Sequence, residues 1–394
     1  MSKLDELIWE LCPNGVEYKK IKDVFQRLKG TPITAAKMKE IASDSGEVRV
    51  FAGGKTVINA NEEDIPNANI IRVPAVLVQS RGVIDVIFYE KPFTFKNEMW
   101  AYTSSERTSV KFLYYILKNN IQSFRDAASG MGSLPQISLP VTEEFSIPVP
   151  PLEVQREIVR ILDNFTELTA ELTAELTARK RQYEFYRDKL LTAPQGSQEK
   201  KFDDLFEFQN GFAFKSSLFK KSGCPILRIT NIQERRIDTE KMAYFSPDDY
   251  KENLQAFTVL PGDIVVAMSG ATTGKIGVNH TDKVYYLNQR VGKFSPKTGI
   301  DKRYLYHLLL QNSNKLLEIS VGSGAQPNLS SEKMKKLTAR VPGLSEQKRI
   351  ATILDKLDTL CNDISEGLPA EIGARQKQYE YYRGKLLTFK ELEG

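Results

Sequence analysis

The chain repeats itself at an offset of 192 residues, and that duplication limits the possible folds more than any other feature. Leu152, Gln155, Ile158, Ile161, Leu162, Asp163 and Leu168 recur as Leu344, Gln347, Ile350, Ile353, Leu354, Asp355 and Leu360, with the tripeptide ILD intact in both copies. Further on, RKRQYEFYRDKLLT (179–192) aligns with RQKQYEYYRGKLLT (375–388), identical at ten of fourteen positions. Chance would give about one, so this is a true internal repeat. Upstream, the offset of 192 pairs Leu113, Tyr114 and Leu117 with Leu305, Tyr306 and Leu309, then Gly130, Gly132, Pro135 and Ser138 with Gly322, Gly324, Pro327 and Ser330. Elsewhere the halves differ. The expected organisation is a variable globule (1–151), a repeated helical segment (152–195), a second globule (196–343) and a second helical segment (344–394).

Both repeated segments read as long helices. Ile158, Ile161, Phe165, Leu168 and Leu172 follow alternating three- and four-residue steps, as do Ile350, Ile353, Leu357, Leu360, Ile364 and Leu368, which is the apolar seam of a coiled coil. Two such seams in one chain can close on each other. The segments are near neutral, seven basic against eight acidic residues in 152–192 and eight against seven in 344–390, so they read as spacers rather than polyanion binders. The first contains ELTAELTAELTA (167–178), a four-residue repeat that acts as a stutter and locally unwinds a supercoil. Before this tract the offset is 192 and after it 196, so the second segment is four residues longer, and its extra stretch holds Gly367 and Pro369. Pro369 should kink or interrupt that helix. From Glu153 to Leu191 the first helix would span ~58 Å, enough to hold two globules well apart.

In the globules, VPAVLVQS (73–80), VIDVIFY (83–89) and VLPGDIVVAMSG (259–270) read as strands punctuated by turn residues, and KFLYYILKNN (111–120) and KRYLYHLLLQNSNKLLEI (302–319) as amphipathic helices. The expected class is α+β with two mixed α/β globules. Phe212 and Phe214 are assigned to the core. Hydrophobic residues make up 41% and charged residues 27% of 394. No apolar run approaches the ~20 residues of a membrane span, and the amino terminus lacks the basic-then-apolar order of a secretion signal, so the expected location is the cytoplasm. Cys12, Cys224 and Cys361, with His280 and His307, are too scattered for a metal knuckle or a disulfide framework.

Known catalytic constellations are missing. GATTGK (270–275) has three residues between its glycines where a nucleotide-binding loop needs four, and Ile276 follows the lysine where Ser or Thr is required. No dinucleotide fingerprint, amino-methylation tetrapeptide or carboxylate–lysine nuclease cluster stands out, so the chain reads as non-catalytic and without a metal or cofactor of its own. Charge is unevenly placed. Residues 1–150 hold 18 basic and 18 acidic groups, whereas residues 193–343 hold 22 and 15, a net of +7. Such a surplus fits a polyanion partner, although from charge alone a solvated surface accounts for it equally well.

The loops are rich in groups suited to base edges and phosphates. In the first globule these are Lys55, Arg72, Gln79, Ser80, Arg81, Arg125 and Gln136. In the second they are Asn210, Lys215, Ser216, Arg228, Asn231, Ser269, Thr272, Thr273, Lys275, Asn288, Gln289, Arg290, Gln326 and Asn328.

QNGFAFKSSLFKKSGCPILRITNI (209–232), VVAMSGATTGKIG (265–277) and LNQRV (287–291), with the repeated ILD helices and their QYEYYR-type ends, resemble the specificity subunit of type I restriction-modification enzymes. The likeness covers essentially the whole chain, and the TAEL tract is similar to the type IC branch. The first globule keeps AGGK (52–55) and a Gly-Met-Gly-x-x-Pro turn (130–135) but has no clear counterpart of the second globule's opening motif. The resemblance implies two target-recognition domains, each reading one half of a split, asymmetric double-stranded DNA site, and two antiparallel conserved helices in a pseudo-twofold arrangement. It also implies two modification subunits carrying S-adenosylmethionine and methylating adenine, and restriction subunits that translocate and cleave with ATP and Mg.

A duplicated segment offers near-identical docking surfaces to a repeated partner. Tyr183, Tyr186 and Arg187, with Tyr379, Tyr382 and Arg383, are the candidate contacts; alternatively these tyrosines only complete the packing between the helices. Two competing functions stay open from residues alone: a coiled-coil scaffold that binds no nucleic acid, and a DNA-modifying enzyme in its own right.

Overall fold

The duplication is visible element by element in the computed structural model, which describes residues 2–392 apart from 55, 130–133, 193, 195, 321–326 and 363–366. Helices α1 (Arg107–Asn119), α2 (Leu139–Glu143) and α3 (Leu152–Thr192) are echoed by α4 (Lys302–Gln311), α5 (Ser331–Lys335) and α6 (Leu344–Asn362), after which α7 (Leu368–Leu386) follows. α3 is one helix of 41 residues that runs through the whole TAEL tract. Along it Thr166, Thr169 and Thr173 donate their hydroxyls to carbonyls four residues back, which satisfies these polar groups without breaking the helix. Pro369 is the second residue of α7, where a missing N–H costs nothing. The second helical segment is thus divided where proline was expected to divide it. Ile364 of the expected seam lies outside the described residues.

The chain forms two compact units, and the helices are shared between them. Unit 1 comprises residues 1–173 and 372–394; unit 2 comprises residues 174–371. Each globule therefore owns one stretch of α3 and one stretch of the second helical segment, so compactness does not follow the sequence limits of the helices. The α+β class is present, with mixed helix and sheet content and one long helix over residues 152–192.

In unit 1, a four-stranded antiparallel sheet runs in the order Gln26–Leu28, Trp100–Thr103, Ala75–Gln79, Asp85–Tyr89. A three-stranded sheet (Val57–Ala60, Val48–Phe51, Phe93–Phe95) and a ribbon of Tyr18–Lys20 with Ser146–Pro148 accompany it. Phe112, Leu113 and Ile116 of α1 share one core with Val154, Ile158 and Leu162 of α3 and with Leu387. Unit 2 has a six-stranded sheet ordered Phe206–Asn210, Val291–Pro296, Ile264–Ala267, Ile276–Val278, Arg235–Ile237, Ile232–Gln233. A four-stranded sheet and a ribbon of Gln198–Lys201 with Thr338–Val341 complete it. Tyr304, Leu305 and Leu308 of α4 pack with Tyr183 and Leu191 of α3 and with Ile350, Ala351, Leu354 and Cys361 of α6. Phe214 is buried and Phe212 packs beside it, as assigned.

The seam expected on the second segment is displaced. Ile350 is fully buried, but the deep line continues through Leu354 and Cys361, while Leu360 is left exposed. The physical reason is that α6 packs its deepest face on α4 of the globule, so the stripe is rotated from the positions a two-helix coil would choose.

This packing explains the ILD aspartate. Asp163 accepts bonds from Lys111 Nζ (2.7 Å) and Tyr115 Oη (2.5 Å), both on α1. Burial first, and then the Asp163 carboxylate, push the Tyr115 phenol well up, so it stays protonated and donates. In unit 2, Asp355 accepts from Arg303 Nη1 (3.0 Å) and from His307 Nε2 (2.8 Å), both on α4. The offset of 192 maps Lys111 onto Arg303 and Tyr115 onto His307: the donors changed and the latch between globule and helix stayed. Asp355→Ala strips the buried His307 of its acceptor and should cost unit 2 about 1–3 kcal/mol, read as a lower urea midpoint. An unchanged midpoint would show that the latch is idle.

Candidate nucleic-acid interface

The candidate site of unit 2 grows from strand ends. Strand Ile264–Ala267 runs into Met268 and Ser269, strand Phe206–Asn210 ends at Asn210, and the turn after Tyr285–Leu287 carries Asn288, Gln289 and Arg290. Backbone bonds tie these loops together. Met268 N donates to Arg290 O (2.9 Å), Leu329 N to Met268 O (2.7 Å), and Ser269 forms a β-bridge with Asn328. Between them lies an open groove of about 740 Å³ lined by Asn210, Ser269, Gln289, Arg290, Asn328 and the stretch Ser330–Glu332. Five of the residues singled out from the sequence are brought together here although they span 118 positions. Asn210, Gln289, Arg290 and Asn328 are exposed. Ser269 is buried, and its hydroxyl accepts from Arg290 Nη1 at 3.5 Å, so its place is to steady the guanidinium.

Several of the other candidates hold the loops instead of facing outward. Asn231 is buried and its side chain is fully used: Nδ2 donates to Asp238 O (3.0 Å) and Lys241 O (3.2 Å), and Oδ1 accepts from Arg228 N (3.1 Å). Thr272 donates to Ile229 O (3.0 Å), Thr273 to Gly270 O (2.6 Å), and Lys275 to Gln233 Oε1 (3.2 Å). The GATTGK segment is thus a cross-braced floor, with Gly270 and Gly274 at φ +79° and +80°, a backbone that favours glycine. Arg228 donates Nη2 to Lys241 O (3.1 Å). Asn288 is half-buried, with Oδ1 accepting from Gln289 N (2.7 Å). Lys215 and Ser216 are exposed but do not line the groove. Gln326 lies outside the described residues.

In unit 1, three loops converge differently. Gly54 N donates to Arg81 O (3.1 Å), Gly82 N to Pro135 O (2.8 Å) and Ile137 N to Ser80 O (2.9 Å), while Gln136 bridges to both Arg81 and Ser129. Arg81, Arg125 and Gln136 are exposed on this cluster, with Arg125 Nε donating to Ile84 O (3.1 Å). Gln79 and Ser80 are buried, donating to Gly54 O (2.9 Å) and Glu98 O, and serve the scaffold rather than a ligand. Arg72 is paired with Glu62 elsewhere on the unit, and Lys55 lies outside the described residues.

On the helices the two alternatives for the tyrosines divide residue by residue. Tyr183 is buried in the core of unit 2, its hydroxyl 3.3 Å from His307 Nδ1, so it cannot meet a partner. Arg187 lies over its ring at 5.7 Å. Tyr379 is half-buried, and Arg383 lies over it at 5.3 Å while donating Nε to Asn119 Oδ1 (3.1 Å). The outward groups are their neighbours. In unit 2, Phe185 is 60% and Tyr186 37% exposed; in unit 1, Tyr381 is 66% and Tyr382 37% exposed. Each pair is edge-on, at 5.5 Å and 74° in one unit and 5.4 Å and 77° in the other. Phe185 and Tyr381 escaped the sequence analysis. Their signal was available, because the offset of 196 places one aromatic on the other, outside the apolar seam.

Among the described residues no group of His, Cys, Asp and Glu is placed to hold a metal, and no helix is long and apolar enough to cross a membrane.

The Type I restriction modification DNA specificity domain family matches this chain twice, over residues 13–179 and 194–374. The specificity subunit of a type I restriction enzyme from Escherichia coli is 33% identical over 88% of both chains. A putative type I restriction enzyme specificity subunit from Haemophilus influenzae is 33% identical over 75% of this chain and 77% of its own. Among solved structures, the S subunit of a type I restriction-modification system from M. genitalium superposes with a TM-score of 0.65 at 17% identity, covering 95% of this chain and 96% of that one. A chain from a structure concerned with complex assembly of the type I system gives 0.56 at 14% identity, over 95% and 98%.

Proposed function

The chain belongs to the type I restriction-modification DNA specificity family, and from that membership we propose that its two units read the two halves of one split, asymmetric duplex site. Its work is recognition of a DNA sequence, and it is a non-catalytic subunit. The groove of unit 2 carries the half-site reading. Gln289, Asn210 and Asn328 present amides, each with a donor and an acceptor, the pairing that matches the major-groove edge of adenine, and Arg290 presents the fork that matches guanine. Unit 1 offers Arg81 and Gln136 on loops of different geometry and Arg125 on the short helix Ile121–Asp126, so the two half-sites differ. The reactive partners are two modification subunits, which bring S-adenosylmethionine and methylate adenine, and restriction subunits, which use ATP and Mg. The repeated aromatic pairs support two equivalent docking places for the modification subunits. The setting is the cytoplasm, where the DNA is.

Sequencing of methylated adenines in a host that expresses this chain with its cognate methyltransferase tests the reading. With Gln289→Ala and Arg290→Ala together, recognition of unit 2's half-site should weaken by about 1–3 kcal/mol per lost base contact, while the other half-site stays as it was. Both half-sites intact in the doubly substituted chain would remove the groove from consideration.

A further inference from the structure

We propose that unit 2 makes a second, sequence-independent contact with the duplex, in which a basic ridge next to the groove grips the phosphodiester backbone beyond the half-site. This rests on the DNA-reading role of the groove and adds a surface to it. The ridge is formed by Lys333 and Lys336 at α5 and by Lys201 and Arg340 on the two-stranded ribbon. It starts where the groove stops, since Ser330, Ser331 and Glu332 line the groove and Lys333 is the next residue along α5. In the ribbon Lys201 lies opposite Thr338 and Arg340 opposite Glu199, and strand alternation puts all four on one exposed face. None of the four basic residues takes part in an ion pair among the described residues; Lys335, between them, is paired with Asp203 at 3.0 Å.

Unit 1 has the same ribbon and short helix with the charges cancelled. The offset of 192 maps Glu143 and Glu144 onto Lys335 and Lys336. Glu144 accepts from Lys20 (2.7 Å) and Lys22 (2.5 Å), which hold its carboxyl down at about 2, and Glu143 pairs with Arg27 at 3.2 Å. One copy of the repeat neutralises its own lysines, and the other adds more. Residues 193–343 carry 22 basic against 15 acidic groups while residues 1–150 are balanced at 18 each, so the surplus lies on the copy that has the ridge. Ammonium and guanidinium groups that no ion pair holds are able to meet phosphate oxygens, even with Glu199 opposite Arg340, and have no means of telling one base from another.

The test uses the full chain assembled with its methyltransferase partner and duplexes carrying the mapped site. One duplex ends just outside unit 2's half-site, and the other extends about ten base pairs further, roughly one helical turn. Each phosphate contact contributes about 0.9 to the slope of log affinity against log salt. The variant Lys201→Gln, Lys333→Gln, Lys336→Gln, Arg340→Gln should therefore lower that slope by about 3–4 on the long duplex, lose the gain that the unaltered complex shows from the extra flank, and methylate the same sequence. The reciprocal variant Glu143→Gln, Glu144→Gln releases Lys20, Lys22 and Arg27 in unit 1 and should raise the slope, an outcome misfolding cannot imitate. Normal recognition with an unchanged slope and flank dependence overturns the ridge alone, as does loss of the partner subunit with the slope intact, which would assign the ridge to an acidic protein face. An unaltered complex that prefers no sequence overturns the DNA reading as well.

Discussion

Alanine at Phe185 and Tyr186 should leave the assembled complex with one modification subunit in place of the two proposed for the unaltered chain. Phe185 presents 60% of its surface and Tyr186 37%, on a stretch of helix whose third aromatic, Tyr183, is sealed in the core. A large exposed aromatic on a rigid helix has few rotamers to lose and ~150–250 Å² to bury, the profile of an interface anchor. Truncating such an anchor costs about 2–4 kcal/mol, and two together weaken one docking place by well over a hundredfold. Tyr381→Ala in unit 1 should empty the other place. It is the cleaner choice there, because Tyr382 also stacks on Phe165 at 5.7 Å and its loss would disturb the helix packing. Mass measurement of the intact complex reads the outcome, with circular dichroism to show that the chain is folded. Two partner subunits still bound after both sets of substitutions would place the docking surface elsewhere.

Deleting Glu171–Ala174 should shorten the spacer between the two half-sites by one to two base pairs and leave both half-site sequences as they were. The tract is helical from end to end, and the division between the two units falls inside it, at Thr173 and Ala174. Four residues of helix are ~6 Å of rise and about 1.1 turns, against ~3.4 Å for each base-pair step. The four-residue unit nearly preserves helical phase, with a residual rotation of about 40°. Leu168, Leu172 and Leu176 are all half-buried and replace one another in register after the deletion. Mapping methylated adenines with the shortened chain gives the spacer directly. A spacer that does not move would mean that the tract sets no distance.

Much of the scaffold was legible from residue order because it depends on local rules. Strands Ala75–Gln79 and Asp85–Tyr89 lie inside the apolar runs that marked them, and α1 covers KFLYYILKNN apart from its last residue. Pro369 takes up the start of α7 as its chemistry requires. The seam on α6 misled, because heptad spacing assumes that a helix buries its best face against another helix, whereas this one turns Leu354 and Cys361 toward α4. Among the binding candidates, residue type could not distinguish Asn231, fully bonded inside a loop, from Asn328, exposed on the groove. Both are polar residues close to turns, and the difference between them is which backbone groups happen to be near.

The duplication, the helices, the TAEL tract and the charge surplus of the second copy were determined by the sequence alone, since each rests on periodicity or composition that no packing can alter. Tertiary structure decided which of the repeated residues meet. It turned Tyr183 inward and Phe185 outward, gave the ILD aspartates a tyrosine in one unit and a histidine in the other, and drew Asn210, Gln289, Arg290 and Asn328 to one groove. The reason is that a side chain's direction depends on the neighbours it packs against, and those neighbours come from distant parts of the chain, 48 residues away for the ILD aspartates and 124 for Tyr183 and His307.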